Sequence, residues 1–153
     1  MSILASIYRL IPQPLTRLLL WALNAKLNLG AVGMFRTPDG RLLVLKHVYR
    51  HSSPWGLPGG YLQRGEPAEA GILRELREET GLIATIERVF CVDDVDAWLR
   101  EVVFVGHVAA DQTLRLNHEI DEAGFFALDQ LPADMLPRHA CLVERLSTEL
   151  NSR

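Results

Sequence analysis

The chain has 153 residues, of which 48% are hydrophobic and 23% charged, the balance of one soluble globular domain with a real core rather than of a disordered chain. A formal net charge of −3 excludes a nucleic-acid binder working through a basic surface, because phosphate contacts of that kind need clustered Lys and Arg. Cys91 and Cys141 lie far apart and outside any C-x-x-C pair, so they suggest neither a zinc site nor a disulfide framework; both read as small buried hydrophobes in a reducing cytosol.

From Ile3 to Leu29 the chain is strongly apolar, but Arg9, Pro12, Pro14, Arg17, Asn24 and Lys26 interrupt it. No run reaches the roughly 20 apolar residues of a membrane span. There is no basic start followed by a clean apolar stretch and a small-residue cleavage site, so no secretory signal is expected and a cytoplasmic location follows. Leu15, Leu18, Leu19, Ala22 and Leu29 recur at helical spacing behind Pro14, which predicts two short helices hinged near Pro12 to Pro14. Their expected role is to cover part of the domain, with a dimer contact or a membrane-surface anchor as alternatives that Trp21 would serve equally.

Leu29 to Phe35 and Arg41 to Tyr49 read as two strands joined by the turn Thr37-Pro38-Asp39-Gly40. The loop YRHSSPWGL then carries candidate substrate-binding residues. Tyr49 or Trp55 suits stacking on a base and Arg50 or His51 suits a phosphate, although aromatics in such places often fill core edges. In Leu57-Pro58-Gly59-Gly60, two glycines after a proline let the backbone approach a ligand closely.

A helix follows, with Pro67 in its first turn and Gly81 as its left-handed stop. At about 100° per residue, Glu75, Glu78 and Glu79 share one narrow arc with Ala68 and Gly71, while Ile72, Leu73 and Leu76 supply the packing stripe. Carboxylates crowded at the negative end of the helix dipole cost roughly 0.3 to 1 kcal/mol each, and Arg74 and Arg77 offset only part of this. Clustered carboxylate oxygens are what hard cations take as ligands. The alternative is a solvated acidic face.

Beyond Gly81, Ala84 to Val92 and Val102 to Ala109 read as strands separated by the acidic loop DDVDAWLRE. Asp93, Asp94 and Asp96 lack the spaced ligands of a calcium loop and are expected to be solvated. Gly124 to Leu128 is a short strand, and a last helix from about Arg138 to Leu150 turns Leu142, Val143 and Leu146 inward.

Gly60, Glu66, Arg74, Glu75, Leu76, Glu78, Glu79, Gly81 and Leu82 match G-x5-E-x7-R-E-U-x-E-E-x-G-U, with U a bulky aliphatic residue; this is the Nudix box, unbroken. The chain therefore resembles the Nudix hydrolases, which cleave a nucleoside diphosphate linked to another group X. The likeness extends more loosely from Leu29 to the end of the chain. It implies an α/β fold in which a mixed, partly antiparallel sheet lies between helices, with 1–28 as a helical extension and 29–153 as the domain. It implies that Glu75, Glu78, Glu79 and the Gly59 carbonyl hold Mg2+ or Mn2+, that Arg74 orients Glu75, and that Glu66 adds a hydrogen bond behind them. Glu119 or Glu122 would serve as the base or complete the metal shell, unless Glu122 simply forms a salt bridge. The expected reaction converts a nucleoside diphosphate derivative to a mononucleotide and phosphorylated X, with ADP-ribose-like or nucleotide-sugar substrates slightly favoured. A catalytically silent nucleotide-sensing domain is the alternative. The expected partner is a small molecule rather than a nucleic acid or a membrane, and the expected state is a monomer or homodimer.

Overall fold

The computed structural model describes residues 12–23, 27–109 and 112–152. The first of the two expected N-terminal helices lies outside them, whereas the expected hinge, Pro12 to Pro14, lies at their start and runs directly into a helix. Among the described residues the helices are α1 (Gln13–Leu23), α2 (Ala68–Thr80) and α3 (Pro137–Asn151), and the strands are β1 (Asn28–Arg36), β2 (Leu42–His47), β3 (Trp55–Gly56), β4 (Gly59–Tyr61), β5 (Ala84–Asp94), β6 (Leu99–Val108) and β7 (Ile120–Phe126).

The strands form one mixed sheet in the order β3-β2-β1-β6-β5, with β7 on β2 and β4 on β1. β1 runs parallel to β6 along its whole length, from Asn28 opposite Leu99 to Arg36 opposite His107. Its other edge is shared. β2 meets it only at Arg36 opposite Leu42, after the expected turn, and β4 pairs with Gly30 to Val32, placing Ala31 opposite Gly60 and Val32 opposite Gly59. This division brings the two glycines onto the central strand of the sheet.

Residues alternate between sheet faces with period two, and both faces are covered. On one, Val32, Met34, Leu42, Val44, Val103 and Val105 pack with Leu142, Val143 and Leu146 of α3. On the other, Ala31, Phe35, Leu43, Leu45 and Phe104 pack with Ile72 and Leu76 of α2. Both faces of the central strands are therefore apolar, which is why these strands read as continuous hydrophobic runs. The outcome is the expected α/β/α layering.

Several boundaries and placements differ from the sequence reading. Pro67 is the residue before α2 rather than within its first turn. The loop after β2 contains a strand of its own, because Trp55 pairs with Lys46 and its carbonyl accepts the Leu136 N–H at 2.7 Å. β7 starts at Ile120, four residues early, so Glu122 sits within a strand. Glu101, assigned to the acidic loop, belongs to β6 and is buried. Cys141 is exposed and Cys91 half-buried, both as free thiols, so neither is the buried hydrophobe expected. At the tip between β5 and β6, Asp96 Oδ1 accepts the N–H groups of Trp98 and Leu99, and Asp94 pairs with Arg100 at 2.5 Å. These carboxylates shape a turn. In α1, Leu15 and Leu18 are 47% and 57% exposed. No helix among the described residues is long and apolar enough to cross a membrane.

Candidate active site

α2 ends where its sequence predicts. Gly81 adopts φ 71° and its N–H donates to the Arg77 carbonyl at 2.8 Å. The Thr80 and Glu79 carbonyls then accept the N–H groups of Arg115 and Asn117 at 2.8 and 3.2 Å, and Asn117 Oδ1 accepts the Glu119 N–H at 2.9 Å. These bonds bring the segment carrying Glu119 to the end of α2.

The three box glutamates do not share one environment. Glu78 points outward, with 56% of its side chain exposed. Glu75 is largely covered and lies against Gly60, where a Cβ would come within 2.6 Å of its carboxylate. The absence of a side chain at Gly60 leaves room for the carboxylate in this position. Glu79 turns inward to 3% exposure, and its Oε2 has no hydrogen-bond partner. Burial, reinforced by the neighbouring Glu75 charge, raises the Glu79 carboxyl to about pH 8, against the opposing pull of the Gly59 backbone and Arg50.

Arg74 organises the outer part of the cluster. Its Nε and Nη2 donate to the two oxygens of Glu66 at 2.8 and 3.0 Å, and its Nη1 donates to Glu75 at 2.8 Å and Glu78 at 3.1 Å. Glu66 also accepts the Gln63 N–H at 2.8 Å, and these bonds, Arg74 first, hold its carboxyl down to about 2. Arg74 thus contacts the Glu75 carboxylate directly. Glu66 acts on the arginine rather than directly on another glutamate.

Beside this corner a cleft of about 230 Å³ is lined by residues including Tyr49, Arg50, Gly59, Gly60, Glu101, Arg138 and His139. Tyr49 and Arg50 therefore lie where a ligand would sit. Trp55 does not: it is 8% exposed, packs in the core and meets Phe126 edge-on at 5.4 Å, which corrects its assignment to stacking. His51 is exposed and outside the cleft lining. Glu122 pairs with Lys46 at 3.7 Å, whereas the charge of Glu119 reaches Glu79.

The sequence reading missed Glu101, Arg138 and His139, which line the same cleft. Glu101 and Arg138 make a two-pronged ion pair, with Arg138 Nη2 at 3.2 Å from Glu101 Oε1. His139 Nδ1 accepts the Leu57 N–H at 3.0 Å. Signals for two of them existed: Glu101 alternates with Val103 and Val105, and His139 precedes Leu142, Val143 and Leu146 by three, four and seven residues.

Among the described residues no three His, Cys, Asp or Glu side chains converge as a ready-made metal cage. The donor set nevertheless fits a hard cation. Glu79 Oε2 is a buried carboxylate oxygen without a partner, and Gly60 reserves space for the Glu75 carboxylate. The exposed pair between Arg74 and Glu78 is worth only about 0.3 to 0.5 kcal/mol, far less than coordination, so Glu78 is free to turn toward an ion.

A family model for the NUDIX domain matches residues 26–146. The chain belongs to the NUDIX family. Over 103 residues it is 32% identical to an ADP-ribose pyrophosphatase of Methanocaldococcus jannaschii, an alignment spanning 61% of this chain and 59% of that protein. A MutT NUDIX hydrolase structure from Burkholderia pseudomallei is 30% identical, with a TM-score of 0.64 over 80% of this chain and 99% of the other. A NUDIX hydrolase structure from Nitrosomonas europaea superimposes with a TM-score of 0.74 over 82% of this chain and 73% of its own at 18% identity, a likeness of fold alone. The NUDIX match begins at residue 26, so it leaves α1 outside and includes both walls of the cleft.

Proposed function

We propose that this NUDIX protein hydrolyses the diphosphate linkage of a nucleoside diphosphate derivative, giving a mononucleotide and phosphorylated X, with a divalent cation at the acidic corner. The observation that carries the reading is Glu79, a buried carboxyl with a bare oxygen, next to Glu75 in its glycine cradle at the mouth of a cleft. Retaining such a costly arrangement fits a site whose partner is a cation.

Glu75, Glu78, Glu79 and the Gly59 carbonyl would hold Mg2+ or Mn2+. When bound, the ion supplies neutralisation of the phosphate oxygens and a more acidic water. Arg74 holds Glu75 in place, and Glu66 in turn holds Arg74. Glu119 is the better candidate for accepting the water's proton, because its charge bears on Glu79 while Glu122 is engaged by Lys46. Tyr49, at the cleft and largely exposed, suits stacking on a base. The name of the Methanocaldococcus jannaschii relative favours ADP-ribose-like substrates, with nucleotide sugars as the neighbouring class.

A catalytically silent sensor is the competing reading, favoured by the turning of both Glu75 and Glu78 toward Arg74. A hydrolysis panel of nucleoside diphosphate derivatives with Mg2+ and Mn2+, products identified by mass, decides between them. Metal-dependent release of a mononucleotide is expected; tight binding without turnover across the panel overturns the enzymatic reading.

A further inference from the structure

The cleft contains two arginines, and their charges are treated differently. Arg138 is matched by Glu101 through both arms of its guanidinium. Arg50 makes no ion pair among the described residues. Its Nη1 is sealed from solvent without a hydrogen-bond partner, and its nearest aromatic support is the Tyr49 ring at 5.7 Å. A guanidinium brought into a wall with a bare nitrogen carries a desolvation cost that an anion entering the cleft would offset.

Two further features show that the chain is arranged around this side chain. A Cβ at residue 56 would collide with Arg50 Nη1 and come within 2.9 Å of His139 Nδ1, so Gly56 makes the space the guanidinium occupies. Behind it lie two buried histidines, and burial holds both His47 and His139 toward the neutral form. They fill the space without adding positive charge. Among the described residues no carboxylate comes within salt-bridge distance of this arginine, although β6 supplies one to Arg138 a short distance away.

We propose that Arg50 is the phosphate-recognition residue of the cleft, taking non-bridging oxygens of the substrate's diphosphate in a way that does not depend on a divalent cation. The inference deepens the reading of the cleft as a nucleoside diphosphate site and rests on it. It divides recognition between a cation-dependent end at Glu75, Glu78 and Glu79 and a cation-independent contact at Arg50. Arg50 lies between them in charge terms, within reach of Glu79 on one side and of the Glu101 and Arg138 pair on the other. His51, beside it in sequence, is left without such a role.

The test is calorimetric titration of inorganic pyrophosphate into the full chain in chelator-treated, metal-free buffer, comparing wild type, Arg50→Met and Arg50→Lys. Wild type is expected to bind without metal, and Arg50→Met to bind about ten- to a hundredfold more weakly, the loss of a charge-assisted hydrogen bond. Arg50→Lys, which keeps the charge but not the planar fork, is expected to fall between them. Equal affinity in all three proteins, or no binding by wild type until a divalent cation is added, overturns the proposal. Should Arg50→Met fail to fold, Arg50→Lys carries the test, and wild-type affinity in that variant overturns it. The titration uses no turnover, so its outcome is separate from that of the hydrolysis panel.

Discussion

Arg74 and Arg50 are both partly covered arginines in one small domain, yet one is saturated and the other is not. Arg74 reaches Glu66, Glu75, Glu78 and the Tyr61 carbonyl, and every arm of its guanidinium donates to protein. Arg50 leaves a buried nitrogen bare. A saturated charge is part of the scaffold; the bare nitrogen of Arg50 is the one proposed to meet an incoming phosphate. The same contrast separates Glu66, bonded on both oxygens, from Glu79, whose Oε2 has nothing.

Removing the saturated arginine is expected to cost most. Arg74→Met leaves Glu66 and Glu75 without their guanidinium partner, and the midpoint of urea unfolding is expected to fall clearly below that of wild type. Arg50→Met is expected to leave stability within about 0.5 kcal/mol of wild type or to raise it, since an apolar side chain of similar length removes an uncompensated charge. If the two substitutions destabilise equally, the contrast between them fails.

pH sharpens the comparison of Glu66 with Glu79. The folded Glu66 value, about 2, lies below the ordinary 4.5, so its stabilisation is present above 4.5 and is lost as pH falls toward 2. The folded Glu79 value, about 8, lies above 4.5, so its contribution is full below 4.5 and is lost as pH rises through 8. Metal-free protein is therefore expected to lose stability toward pH 8, by a few kcal/mol at most, and Glu79→Gln to flatten that limb in thermal melts across pH. His47, held near 4 by burial, adds a loss of stability as pH falls from 6.5 to 4, which His47→Leu is expected to reduce. The smallest effect belongs to His51→Ala, expected to change neither stability nor KM because that side chain is exposed and outside the cleft lining.

What could be read from the chain divides along similar lines. The box helix, its glycine stop, both hairpins and the inward face of α3 depend on residues close in sequence, and periodicity exposes them. The wall at Glu101, Arg138 and His139 depends on the parallel pairing of β6 with β1 and on α3 packing over that face, neither of which leaves a local signature. Helical phase placed Glu75, Glu78 and Glu79 on one arc, but phase alone does not show that α2 tilts that arc so Glu79 is buried and Glu78 exposed. For Trp55 the sequence leaves stacking and core-edge filling both open, because nothing local reveals that the backbone around it pairs with β2 and with the start of α3. The extra helix α1 remains the part whose packing partners local pattern says least about.

The central claim is that the acidic corner is a cation site built on a bare buried carboxyl. The most direct measurement is a Mn2+ titration followed by electron paramagnetic resonance, comparing wild type with Glu79→Gln, a change that keeps the side chain's shape and removes its charge. Wild type is expected to take up Mn2+ and Glu79→Gln to bind at least about tenfold more weakly while its melting temperature is maintained. Equal Mn2+ affinity in the two proteins would contradict the account.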